Sequence, residues 1–307
     1  MHTRELAYYA SHSALTDPGT HADLFRDAPY DEAALARWVR NVHFHETYAM
    51  EAGLDLPPKA NGDPAISDPA VRFMEAMLGR ILARDPRPLA MARPKERCFI
   101  GTCRDYALML CALLRHQGRA ARLRCGFAFY YEPDSSFAVD HWVTEVWDRD
   151  HQRWRLVDAE VDPDLPQHRV ITVDPFDVPR DQFQTAATAW RLHRGRTGKA
   201  GRYGISGLGE RGEWFMAANV LRDLAALNKR EITVFDYWGI GTEMCLHGAV
   251  SDEHRRVIDG LAAVTADDAW NFAALRRAYE EIPAVRVSDP IKSWPKGVET
   301  DFNLNLR

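Results

Sequence analysis

The stretch Gly101-Thr-Cys-Arg-Asp-Tyr-Ala-Leu-Met-Leu-Cys-Ala-Leu-Leu-Arg-His-Gln-Gly118 carries its own start and stop signals, and beyond Gly118 the apolar period changes. Thr102 is a good N-cap, Asp105 stands at the third helical position where a carboxylate answers the cap, and Gly118 is a good C-terminal stop. Together they predict a helix over 103–117. Leu123, Cys125, Phe127, Phe129 and Tyr131 then alternate on one face, which is the strand pattern. Residues 139–147 and 153–158 read as the two arms of a hairpin. One capped helix leading into antiparallel strands predicts an α+β fold, with that helix packed on the sheet.

The same stretch places chemistry. Cys103 is the first residue of the predicted helix, where unpaired N–H groups and the positive end of the dipole favour a thiolate and can hold an oxyanion. A two-residue hairpin loop at Arg149 and Asp150 would set Asp148 opposite His151, and that register carries His141 opposite Asp158. A longer loop would slip the pair to a diagonal and still leave the imidazole within reach of the carboxylate. A cysteine nucleophile needs this set of side chains: an imidazole to share the thiol proton and a carboxylate to fix the imidazole's tautomer.

Three motifs carry a family resemblance: Gly101-x-Cys103-x-Asp105-Tyr106-Ala107 with Leu113-Leu114-Arg115-x-x-Gly118-x-Ala120-Ala121-Arg122; Asp140-His141-Trp142-Val143-x-Glu145-Val146-Trp147; and Trp154-x-x-Val157-Asp158. In order and spacing they resemble the core of the transglutaminase-like superfamily, which is similar to papain in architecture. The resemblance covers roughly a fifth of the chain. It implies Cys103 as nucleophile, His141 as base and Asp158 as orienting carboxylate, acting through a thioester on an amide-type substrate, either a peptide or a small molecule. It leaves the second oxyanion donor unassigned. Bacterial members resemble peptidases or amidases more than cross-linkers, so hydrolysis is placed ahead of transamidation by analogy. The alternative is a binding or scaffolding module in which the three residues are idle. No acidic cluster corresponds to the calcium sites of animal members, and no metal or cofactor is assigned.

Around this core the chain divides into a helical N-terminal part over 1–97, the core over 98–162, and a helical C-terminal extension over 163–307. Apolar residues three and four apart predict helices over 31–51, 68–83, 213–228, 252–264 and 266–281, the last starting from a Thr265–Asp268 capping box. The glycine-rich stretch over 195–209 reads as loop, and the tail after Pro283 as extended. Gly198-Lys199 is not a phosphate loop, since His193 and Ala200 occupy the positions that would need Gly and Ser or Thr.

With 39 Lys plus Arg against 44 Asp plus Glu, the net charge of −5 argues against a nucleic-acid or anionic-membrane binder. The longest apolar run, residues 106–114, is about half a bilayer crossing, and the N-terminus lacks a secretory pattern. A cytoplasmic protein with reduced thiols at its five cysteines is therefore expected. Cys111 and Cys125 read as buried apolar residues, and Trp142, Trp147 and Trp154 as core and hairpin packing. His43 and His45 fall within a helical pattern, where a spacing of two points side chains apart, so they are not read as metal ligands. Arg119, Arg122 and Arg124 read as a solvated basic strip.

Overall fold

The structure is a computed structural model that describes residues 2–54, 71–132, 136–207, 209–267, 270–293 and 300–304. The predicted helix is α5, Cys103–His116, and its capping box is formed. Before it come α1 (His2–Tyr9), α2 (Glu32–Val42), β1 (His43–His45), α3 (Glu46–Glu51), α4 (Met74–Arg84) and β2 (Phe99–Gly101). After it come β3 (Ala121–Ala128), β4 (Ala138–Asp148), β5 (Arg153–Val157) and β6 (Phe183–Thr185). The C-terminal part adds α6 (Ala186–Arg194), β7 (Tyr203–Gly204), α7 (Glu213–Leu227), β8 (Asp236–Tyr237), α8 (Gly239–His247), α9 (Asp252–Thr265), α10 (Phe272–Glu281), β9 (Ile291–Ser293) and β10 (Thr300–Phe302).

The central sheet has the order β5-β4-β3-β6, antiparallel throughout, and β7 adds a short parallel pairing to the start of β4. Helix α5 packs on it, and the Thr144 hydroxyl on β4 donates to the Ala107 carbonyl at 3.0 Å. Leu123, Cys125, Trp142 and Val146 from the sheet join the apolar side of α5, α2 and α4 in one core. A second core gathers α6, α7, α9 and α10 around Phe127 and Ala138. β6 pairs only with residues 126–128 of β3. Helix α7 covers the strand where that pairing stops, and its Asp223 accepts from the Cys125 backbone N–H at 2.9 Å, giving that buried edge amide a partner.

Several sequence expectations change. The helix expected over 31–51 is broken by β1, whose parallel pairing with β2 outweighs the local helical periodicity. Thr265 does not start a helix; it ends α9, its hydroxyl donating to the Leu261 carbonyl at 3.0 Å, and α10 begins after Asn271, whose side chain caps Ala274 N. Asp268 lies outside the described residues, as do 68–70 of the helix expected over 68–83. The 195–209 stretch, read as loop, contains β7, whereas the tail is extended as expected, in β9 and β10. Arg122 and Arg124 are buried rather than solvated, paired with Glu145 and, for Arg124, with Asp223. Arg119 pairs with Glu32.

Candidate active site

The parallel register of β1 with β2 sets His45 beside Gly101, two residues before Cys103. The chain turns at Thr102 into α5. There the Asp105 carboxylate accepts from Thr102 N at 2.8 Å and from the Thr102 hydroxyl at 3.3 Å. Gly101 is required by this turn, because a Cβ there would lie 2.8 Å from Asp105 Oδ2. The buried Arg104 guanidinium fixes the helix start, pairing with Asp105 at 2.9 Å and donating to the carbonyls of Val71, Arg72 and Glu231.

His141 is carried by β4 opposite Gly126 of β3. The hairpin that brings Asp158 to it is longer than expected: Asp148 pairs with Arg153, leaving a four-residue loop over 149–152. Asp148 Oδ1 holds that loop by accepting from the backbone N–H groups of Asp150 and His151, and Gln152 closes it at φ 49°. The register is therefore shifted by two from the two-residue expectation, and the last β4–β5 pair is Thr144 with Val157. An even shift keeps every side chain on its face. Asp158 thus sits diagonal to His141 and still accepts from His141 Nε2 at 2.8 Å.

Asp158 is saturated. Oδ2 also accepts from Tyr130 Oη at 2.7 Å and Tyr131 Oη at 3.3 Å, and Oδ1 from Glu160 N at 3.0 Å. Burial raises its pKa, but the charge of His141 and these hydrogen bonds prevail and hold it below the usual range. Burial likewise opposes charge on His141, yet Asp158 lifts it well above the ordinary histidine value. With Nε2 on Asp158, His141 is left its other nitrogen for Cys103, and the thiol and the ring influence each other's titration. The three residues named from sequence therefore meet. The expected thiolate does not result: burial pushes the Cys103 thiol up to about 11, and the influence of His141 only partly opposes it.

Two further residues line the sulfur and were missed. A ring nitrogen of His45, Cys103 Sγ and a Glu160 carboxylate oxygen all lie within 4.8 Å of one another, and His45 Nε2 stands 4.0 Å from Glu160 Oε1. His45 Nδ1 accepts from the Thr47 backbone N–H at 3.1 Å, so the ring proton sits on Nε2, aimed into this group. Burial lowers the His45 pKa to about 3, leaving it a neutral donor. A proton on Nε2 is ill suited to a metal, which needs the lone pair there. Glu160 is 4 % exposed, with burial, partly opposed by the charge of His141, raising its carboxyl to about 8. Glu160 had a sequence signal, standing two residues from Asp158; His45 had none, because the helical period around it hides a three-residue strand. His43 itself turns into the core, facing Phe99 and Tyr106.

Cys103 is 8 % exposed. Around the site, Tyr131 packs on His141 at 4.8 Å between ring centres and on His168 at 5.7 Å. His168 Nδ1 accepts from Asp162 N, which leaves Nε2–H to donate to Tyr48 Oη at 2.9 Å. No helix among the described residues is long and apolar enough to cross a membrane.

No curated protein sequence matches the chain. Among solved structures, a provisionally assigned cysteine protease from Cytophaga hutchinsonii aligns at 14 % identity with a TM-score of 0.33, over 59 % of this chain and 45 % of that one. Residues 82–159, which hold α5, β3, β4, β5 and Cys103, His141 and Asp158, match the model of the transglutaminase-like superfamily. The α+β chain thus carries a transglutaminase-like superfamily domain at residues 82–159.

Proposed function

We propose that the protein is a cysteine-dependent acyl-transfer enzyme acting on an amide-type substrate, with hydrolysis as its first expected outcome. The observation that carries this reading is the His141 imidazole held on Asp158 at 2.8 Å and interacting with the Cys103 thiol, which stands at the N-terminus of a buried helix. In the reactive form a single proton is shared between Cys103 Sγ and His141. Sulfur attacks the carbonyl carbon, the proton stays with His141, and the carbonyl electron pair moves to oxygen. The His45 Nε2–H and the backbone amide of Cys103 at the start of α5 are the donors for that oxygen. When the intermediate collapses, the C–N bond breaks and His141 gives its proton to the departing amine. Asp158 holds the imidazole in orientation and balances its charge. Water then resolves the thioester to a carboxylic acid; an amine would resolve it to a new amide.

A second reading, a binding module with an idle constellation, is favoured by the narrow exposure of the sulfur. One experiment separates the two. Incubation with a mixed pool of acyl donors, followed by intact-mass and peptide mapping, should trap an acyl mass on Cys103 that turns over with time. Cys103→Ala should lose both the adduct and product release. An unmodified Cys103, or unchanged turnover in the alanine variant, would refute the enzyme.

A further inference from the structure

Glu160 takes no part in moving the thiol proton, yet one of its carboxylate oxygens lies within 4.8 Å of both Cys103 Sγ and a ring nitrogen of His45. It is buried, and its Oε2 meets no hydrogen-bond donor among the described residues. Its other oxygen stands 4.0 Å from His45 Nε2. The remaining groups with electrostatic influence at this point are His141, Asp158, Tyr48, Tyr106, Tyr130 and Tyr131; the positive charge among them is that of His141, whose Nε2 is already committed to Asp158 at 2.8 Å. Arg40 is turned elsewhere, to the Ala159 carbonyl at 3.3 Å and to Asp162 at 3.9 Å. A buried acidic oxygen without a donor is costly, and a carboxyl group that holds one and borders a reactive sulfur is placed to gain a partner from what binds there.

Distance limits what that partner is. In a thioester the atom attached to the carbon next to the carbonyl is three bonds from sulfur, about 3 Å away through space, and a carboxylate pairs with an ammonium at about 2.8 Å. A carboxylate oxygen within 4.8 Å of Sγ therefore fits an ammonium on that carbon, whereas a lysine-like amine several bonds further out overshoots it. We propose that Glu160 receives the ammonium of the acyl donor, so that the preferred substrates are aminoacyl compounds with a free amine on the carbon adjacent to the attacked carbonyl. This rests on Cys103 being the nucleophile. Binding draws Glu160 into its carboxylate form, its proton passing to solvent, while His45 remains free for the carbonyl oxygen.

The test uses the full chain and two covalent probes, alanine chloromethyl ketone with a free amine and its N-acetylated form. Alkylation of each cysteine is followed by peptide mass spectrometry, and each rate is divided by that of the probe with free N-acetylcysteine. Iodoacetamide reports the nucleophile alone. The expected result is selective labelling of Cys103, with the free-amine probe about tenfold or more ahead of the acetylated one. In Glu160→Gln that ratio should fall to about one; being internal to each protein, it cancels a general loss of reactivity. Glu160→Asp should retain part of it. Selective iodoacetamide labelling of Cys103 with no amine preference would overturn this inference and leave the nucleophile standing. Iodoacetamide labelling of Cys103 no faster than that of Cys111 would overturn both. A ratio that survives in Glu160→Gln would remove Glu160 from the role. If free-amine probes gain nothing but methylamine speeds loss of a trapped acyl group, the ammonium belongs to an acceptor and the donor assignment fails.

Discussion

Cys103 shows how two effects of opposite sign are decided by magnitude. Its position at the start of α5 favours a thiolate, but the fixed charge at a helix end is worth about 0.3–1 kcal/mol in ordinary settings. Removing a charge from water costs several kcal/mol, so burial wins and the thiol rests protonated at neutral pH, up to about 11. Cys111 is pushed higher by the same cause, to about 12, and has no imidazole beside it. The rate of iodoacetamide alkylation at Cys103 should therefore climb about tenfold per pH unit from about pH 7 to 10, since the thiolate fraction does so below the pKa. Cys103 should stay ahead of Cys111 throughout. Because His141 lowers the thiol pKa, His141→Ala should slow alkylation at every pH in that range. A rate already flat above pH 7 would show a resting thiolate and contradict the burial argument.

At the scale of elements, α5 is specified by contacts within four residues of itself, and β4–β5 is not. The Thr102–Asp105 cap, the apolar face and Gly118 are local, which is why the helix and the position of Cys103 were legible in the sequence. The hairpin loop length depended on an Asp148 side chain capturing two backbone amides, a choice that alternation does not encode; only the face, and hence the meeting of His141 with Asp158, survived the shift. β1 was illegible because three residues are too few to show a period, and its pairing partner lies more than fifty residues away. His45 was lost with it. Arg122 and Arg124 were misread for a related reason: their carboxylates come from β4 and α7, 21 to 99 residues distant. The cap carries its own prediction. Asp105→Ala removes the acceptor for Thr102 N and a buried partner of Arg104, and should cost about 2–4 kcal/mol in urea unfolding. Asp105→Asn keeps an acceptor and should cost clearly less; equal losses would mean the charge pair dominates and the cap is incidental.

Over the whole molecule, several buried arginines take partners from the C-terminal part of the chain. Arg72 pairs with Asp236 and donates to Ser293; Arg115 pairs with Glu231 at 2.8 Å; Arg124 pairs with Asp223 at 2.9 Å; Arg104 donates to the Glu231 carbonyl. From the other direction, Ser13 donates to Glu231 Oε2 and Tyr9 Oη to the Leu227 carbonyl, both at 2.8 Å. Glu231 therefore ties the N-terminal segment, α5 and the end of α7 to one carboxylate. Removing one member of a buried pair strands the other charge, which typically costs about 3–5 kcal/mol, whereas removing both is far milder. Glu231→Gln should lower stability by about that amount, and Arg115→Met combined with Glu231→Gln should recover part of it, so that the double variant loses well under the sum of the two single losses. Urea unfolding followed by tryptophan fluorescence and by far-ultraviolet circular dichroism should coincide in one transition, because residues 82–159 by themselves would leave Arg104, Arg115 and Arg124 without these partners. Two separated transitions, with the first unaffected by Glu231→Gln, would show that the core stands without the C-terminal helices and that the shared carboxylate does not couple them.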